Sequence, residues 1–115
     1  MDNWLDRSRL LIKDDGLEKL GNAGVLVVGL GGVGGFATEF LARAGVGRMT
    51  IVDGDCVGIT NINRQIAALN STVGMPKADV MAARIKDINP VIDLRTDRRF
   101  LCPEDVRDVV FSDDY

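Results

Sequence analysis

The sequence predicts an α/β fold, a parallel sheet with helices on both faces. Three observations carry that expectation. Val25-Leu26-Val27-Val28 is an unbroken apolar run, the pattern of a parallel strand buried on both faces. It leads directly into Gly29-Leu30-Gly31-Gly32-Val33-Gly34 and then into a helix-forming stretch at 36–42. A second apolar run, Met49-Thr50-Ile51-Val52, ends on Asp53, 24 residues after Gly29. A glycine loop between strand and helix lets the backbone approach a phosphate at the helix N-terminus. An acid at that distance can take the hydroxyls of a ribose. Together these parts are Rossmann-like.

Composition sets the bounds. The chain has 115 residues, 46% hydrophobic and 27% charged, with a net charge of −3. That suits one small globular domain with its own core. No apolar run is long enough to span a membrane, and residues 1–7 have no charged-then-apolar signal pattern. There is no histidine, which excludes histidine triads and histidine-held zinc within these residues. Cys56 and Cys102 form no CxxC pair, as expected of a cytoplasmic protein with reduced thiols. A mildly acidic chain shows no broad basic footprint for nucleic acid. Doubly wound nucleotide domains have about five or six strands, and only three are legible here. The chain therefore reads as the N-terminal part of a larger domain.

Taken in order, residues 1–20 form an N-terminal helical segment, as one helix or two short ones. Asp2 is the cap and Trp4, Leu11, Leu17 and Leu20 are the anchors, with breaks at Gly16 and Gly21-Asn22. By spacing alone, Arg7 and Arg9 belong to a solvated face. Residues 21–115 make up the first part of the sheet domain. Its first strand covers about 24–29, its helix about 32–45 and its second strand about 48–53. Gly34 and Gly35 permit that helix to pack closely on the sheet. The segment 54–65 is polar and glycine-rich and leaves from the carboxyl edge of the sheet. Two readings stay open there, a ligand loop and an ordinary surface loop.

Gly74-Met75-Pro76-Lys77 opens a third helix, to about Asn89, with Pro76 in its first turn. Val80, Met81, Ile85 and Ile88 form its buried stripe, which Lys77 extends. A cation in a first turn also opposes the helix dipole. Either an anion sits beside Lys77, or the lysine snorkels to the surface. Residues 91–97 alternate apolar and charged, as an exposed edge strand does. Arg95, Arg98 and Arg99 read as a solvated basic edge. Pro103 starts a last helix with Val106, Val109 and Val110 inward, and Asp113-Asp114 reads as a solvated turn. Cys56 reads as a small packing residue, not a nucleophile.

The glycine loop, Asp53, Asp55, Asn61, Asn63, Arg64, Gln65 and Lys77 all fall at one edge of the sheet. A hydride-transferring, NAD-binding oxidoreductase needs the loop and the acid but has little use for the cations and amides. Attack on an α-phosphate needs both, because charge grows on the phosphate oxygens and on the leaving pyrophosphate. The residues favour adenylation, with the NAD-binding domain as the alternative.

Gly29-x-Gly31-Gly32-x-Gly34, Asp53-x-Asp55, Asn61-x-Asn63-Arg64-Gln65 and Lys77 together resemble the ubiquitin-activating-enzyme-like (ThiF/MoeB) adenylating family. Segments 60–69 and 73–90 look most like its tRNA-modifying dehydratase branch. The resemblance implies ATP and Mg2+ as cofactors. It implies a tRNA substrate, or alternatively the C-terminal glycine of a ubiquitin-like sulfur-carrier protein, and a homodimer. By the same resemblance Gly29, Gly31, Gly32 and Gly34 surround the nucleotide, Asp53 serves the ribose, and Asp55 is counted among the nucleotide-binding residues. Asn61, Asn63, Arg64, Gln65 and Lys77 belong to the phosphate end, with Arg64 and Lys77 as the catalytic cations. Arg9, or Arg7 beside it, reaches a neighbouring subunit's site. The aspartate that holds magnesium falls beyond residue 115. Ala67 departs from the pattern, since that branch often carries histidine there.

Overall fold

The computed structural model describes residues 3–115, so the cap expected at Asp2 lies outside the described residues. The elements are α1 (Asp6–Asn22), β1 (Gly24–Val28), α2 (Gly34–Ala44), β2 (Arg48–Val52), α3 (Lys77–Ile88), β3 (Asp93–Asp97) and α4 (Pro103–Val110). A single 3-10 turn, Ile59–Asn61, interrupts the long loop after β2. The three strands are all parallel, in the order β1-β2-β3. In the pairing register Val28 lies beside Val52, and Val52 beside Asp97. The carboxyl ends of all three strands are therefore level, and the loops leaving them share one edge.

Alternation along β2 explains the two layers. Met49 and Ile51 enter a core with Leu30, Ala42, Ala78, Met81, Ile85 and Ile92, under α2 and α3. Thr50 points to the other face, where the Tyr115 hydroxyl donates to its Oγ1 at 2.9 Å. Val110 and Phe111, at the end of α4, face Leu26 across a groove on that side. Burying one large aliphatic side chain contributes about 1.5–3 kcal/mol, so the Met81–Ile85 stripe is what fixes α3. Asn89 ends that helix and donates its side-chain amide to the Val46 carbonyl at 3.2 Å, tying α3 to the turn after α2. Glu39 on α2 is buried beneath Arg84 of α3, which donates to both of its oxygens.

Several expectations need correcting. β1 is not buried on both faces: its residues are only partly covered, and Val28 is 56% exposed. Among the described residues it pairs with β2 alone. In α1 the break falls at Lys13, whose φ is +61°, and not at Gly16. Trp4, before α1, is 48% exposed, and Leu11 within it is 83% exposed, since α1 buries no residue at all. Val106 and Val110 are half exposed, and only Val109 of α4 is buried. Cys56 is exposed, because its segment crosses the surface to meet Pro76. Asp113 is not a solvated turn: its carboxylate lies 2.9 Å from Arg48 and 3.6 Å from Arg95 beneath the sheet. The basic edge is solvated as expected, its three arginine side chains half or more exposed, with Arg98 on Asp79 and Arg99 on Asp97. No helix among the described residues is long and apolar enough to cross a membrane.

Candidate nucleotide site

The level carboxyl ends of the strands open into a cleft of about 240 Å3. Its floor is the turn out of β1. Gly29 sits there at φ +91°, a conformation that side chains disfavour, and its N–H donates to Val52 at 2.8 Å. Five residues on, any side chain at Gly34 would collide with the Gly29 carbonyl oxygen. That close approach lets α2 start directly over the turn. No side chain caps α2; the Gly35 N–H in its first turn donates to the Gly31 carbonyl at 3.0 Å, and the partial positive charge of the helix start lies beside the loop.

Asp53 closes the turn from the end of β2. One carboxylate oxygen accepts the Leu30 N–H at 2.7 Å, and the other accepts the Asp55 N–H at 2.7 Å. The acid is thereby oriented by the backbone on both sides. Asp55 continues the connection: its carbonyl accepts the Lys77 N–H at 3.0 Å, and Lys77 Nζ lies 3.5 Å from its carboxylate. Lys77 is 5% exposed and lines the cleft with Gly29, Gly31, Asp53 and Asp55. The anion foreseen beside Lys77 is thus Asp55, and the lysine does not snorkel.

The segment after the 3-10 turn returns to the glycine loop. Gln65 is 8% exposed, with its Nε2 3.8 Å from where a Cβ on Gly31 would stand. Its buried Oε1 has no partner. Arg64 passes Gly32 in the same way at 3.9 Å, and its guanidinium donates to the Thr60 carbonyl and to Asn63 Oδ1. Asn61 Oδ1 accepts the Gly58 N–H at 2.8 Å and shapes the turn. Gly29, Gly31, Asp53, Asp55 and Lys77 therefore share one cleft, while Gln65 and Arg64 stand beside Gly31 and Gly32 outside its lining, with Asn61 and Asn63 in the turn before them. Arg9 is not among them: it pairs with Asp6 at 2.5 Å and Asp14 at 2.8 Å on exposed α1.

One wall of the cleft escaped sequence reasoning. Arg99, Phe100 and Leu101, just after β3, stand opposite Asp53 and Gly54. The apolar pair Phe100-Leu101 between charged residues at a strand's carboxyl end was the available signal. Neither cysteine is part of the site. The Asp105 carboxylate, which accepts from the Cys102 thiol, pushes that thiol's pKa up and away from reactive thiolate.

The chain as a whole matches the ThiF family over residues 5–115. It belongs to that family. The tRNA threonylcarbamoyladenosine dehydratase of Bacillus subtilis is 55% identical over 98 residues, 85% of this chain and 39% of that protein. The crystal structure of the E. coli tRNA N6-threonylcarbamoyladenosine dehydratase TcdA in complex with ATP is 42% identical. It superposes with a TM-score of 0.91, covering 100% of this chain and 48% of that one. The molybdopterin-synthase adenylyltransferase of Haemophilus influenzae is more distant, 38% identical over 96 residues, 84% of this chain and 40% of that protein. This chain spans about two fifths of the length of the curated relatives it matches. Ala67, which stands where the resemblance led one to look for histidine, is buried in the core behind the loop.

Proposed function

We propose that this chain is the N-terminal, nucleotide-holding part of an ATP-dependent adenylating enzyme, and that the whole protein is a tRNA threonylcarbamoyladenosine dehydratase. The observation that carries the proposal is the buried Lys77 ammonium beside the glycine loop and Asp53 in one cleft. A 55% identical relative with that name supports the substrate.

In this reading Asp53 takes the ribose, and the glycine loop and the first turn of α2 take the phosphates. Lys77 and Arg64 neutralise charge that grows as a carboxylate oxygen attacks the α-phosphate and pyrophosphate leaves. Fixed donors act on that charge without reorganising, and losing one costs about 3–4 kcal/mol in barrier. The carboxylate is that of the threonylcarbamoyl group on a tRNA adenosine. Adenylation makes its oxygen part of AMP, a good leaving group, and an internal nucleophile then displaces AMP to close a ring. The net change is loss of water, and no protein thiol is required.

Magnesium would shield the phosphates in such a reaction. The described residues hold no cluster of three or more carboxylate or thiol groups suited to a metal. Both Asp53 oxygens already accept backbone N–H groups. No step is assigned to magnesium. A homodimer, with Arg9 reaching across it, belongs to the same proposal.

AMP release by the full-length protein tests the reading. It is expected with tRNA carrying threonylcarbamoyladenosine. Release only with a carrier protein ending in Gly-Gly would transfer the site to the sulfur-carrier branch. Tighter binding of NAD than of ATP would remove adenylation altogether.

A further inference from the structure

Asp55 and Lys77 form an unequal pair. The Lys77 side chain is buried, whereas the Asp55 carboxylate is 61% exposed. Their 3.5 Å separation is beyond the usual N–H···O range, so the contact is a loose ion pair and not a tight hydrogen bond. The backbones are far better joined. The Asp55 N–H donates to the Asp53 carboxylate, the Lys77 N–H to the Asp55 carbonyl, and the Val57 N–H to the Met75 carbonyl at 2.8 Å. The lysine is thus fixed in the cleft by the main chain, while its only carboxylate partner among the described residues stands half in water.

We propose that Asp55 is a placeholder for phosphate, which holds the buried Lys77 charge while the cleft contains no nucleotide and yields it to a polyphosphate. The inference rests on the nucleotide reading above and adds to it a residue that acts through Lys77. Two anions compete for one cation. The polyphosphate carries more charge and can also reach the N–H groups of the loop, so it displaces the carboxylate. Asp55 is then a positioning residue that keeps a buried ammonium partnered at the cost of some nucleotide affinity. Its removal frees the lysine and also removes a like charge from the phosphates' surroundings.

The test is Asp55→Asn in the full-length protein, read by calorimetric titration with ATP and with adenosine. Asparagine has nearly the same shape and can still accept the Cys56 N–H that Asp55 Oδ1 accepts at 2.9 Å. The expected result is ATP binding tighter by about threefold to tenfold, the range for a partly screened pair, with adenosine unchanged. In a Lys77→Met background the same substitution is expected to gain less than half as much. Unchanged ATP affinity would overturn the proposal, and so would an equal gain in both backgrounds, which would mean plain repulsion. Weaker ATP binding with magnesium, but not with a chelator, would overturn it by making Asp55 a metal ligand. If the unsubstituted protein binds no ATP, the nucleotide reading itself fails, a result distinct from any of these.

Discussion

Asp53 accepts the Leu30 N–H at 2.7 Å, across 23 residues of sequence. Leu30 is fully buried, so this bond ties the ligand-facing turn to the hydrophobic core. The same acid thus shapes the loop and faces the cleft. Asp53→Ala leaves a partly buried N–H without a partner, which costs about 1–3 kcal/mol. Urea unfolding should show that loss, and ATP titration should show weaker binding. Full retention of ATP affinity would mean that the acid is structural only.

Lys77→Ala should weaken ATP more than AMP, because its proposed partners are the outer phosphates. Titration with both nucleotides reads the difference. Equal losses would point to a lysine that supports α3 and touches no phosphate.

Phe100 is 71% exposed, yet it stands on the wall of the cleft. Phe100→Ala should leave the melting temperature within a degree or two, since surface substitutions change stability by about 0.5 kcal/mol or less. Adenosine binding should weaken by roughly threefold to thirtyfold, the effect of losing an apolar contact to a base. Unchanged adenosine affinity would separate this wall from the base.

Glu39 carries a pH prediction. The Arg84 guanidinium, bonded to both its oxygens, lowers its pKa below the usual carboxylate value, with Arg43 assisting at 3.4 Å. A group whose folded pKa is depressed stabilises the fold above its unfolded pKa, about 4.3 for glutamate. That stability is lost as pH falls through the lower folded value. The urea midpoint of Glu39→Gln should therefore lie below that of the parent at neutral pH, and the gap should close below about pH 4. A gap that widens in acid would reverse the assignment.

The core can be checked separately. Met81 is fully buried between α3 and the sheet, and Met81→Ala should cost about 2–5 kcal/mol through the cavity it leaves. A loss under 1 kcal/mol in urea unfolding would mean that the core closes around the gap.

Much of this molecule could be read from its residues. The apolar run 25–28, the glycines that follow it and Asp53 identify strand, turn and acid by local chemistry alone, because each residue type suits one backbone role. The helical stripe of α3 placed Lys77 inward by periodicity, and the structure keeps it there. What local pattern could not supply was partnership. β1 reads as a buried strand, but what covers a strand depends on its neighbours, and among the described residues β1 pairs with β2 alone. Asp113 looked like a surface turn until the fold set it beneath β2, within reach of Arg48. Arg99 and Phe100 became a wall of the cleft because the parallel register levels the ends of β2 and β3. Residue type and spacing decide what an element is. Contacts between residues far apart in sequence decide what it faces, because they depend on how separate elements pack and not on any one stretch of chain.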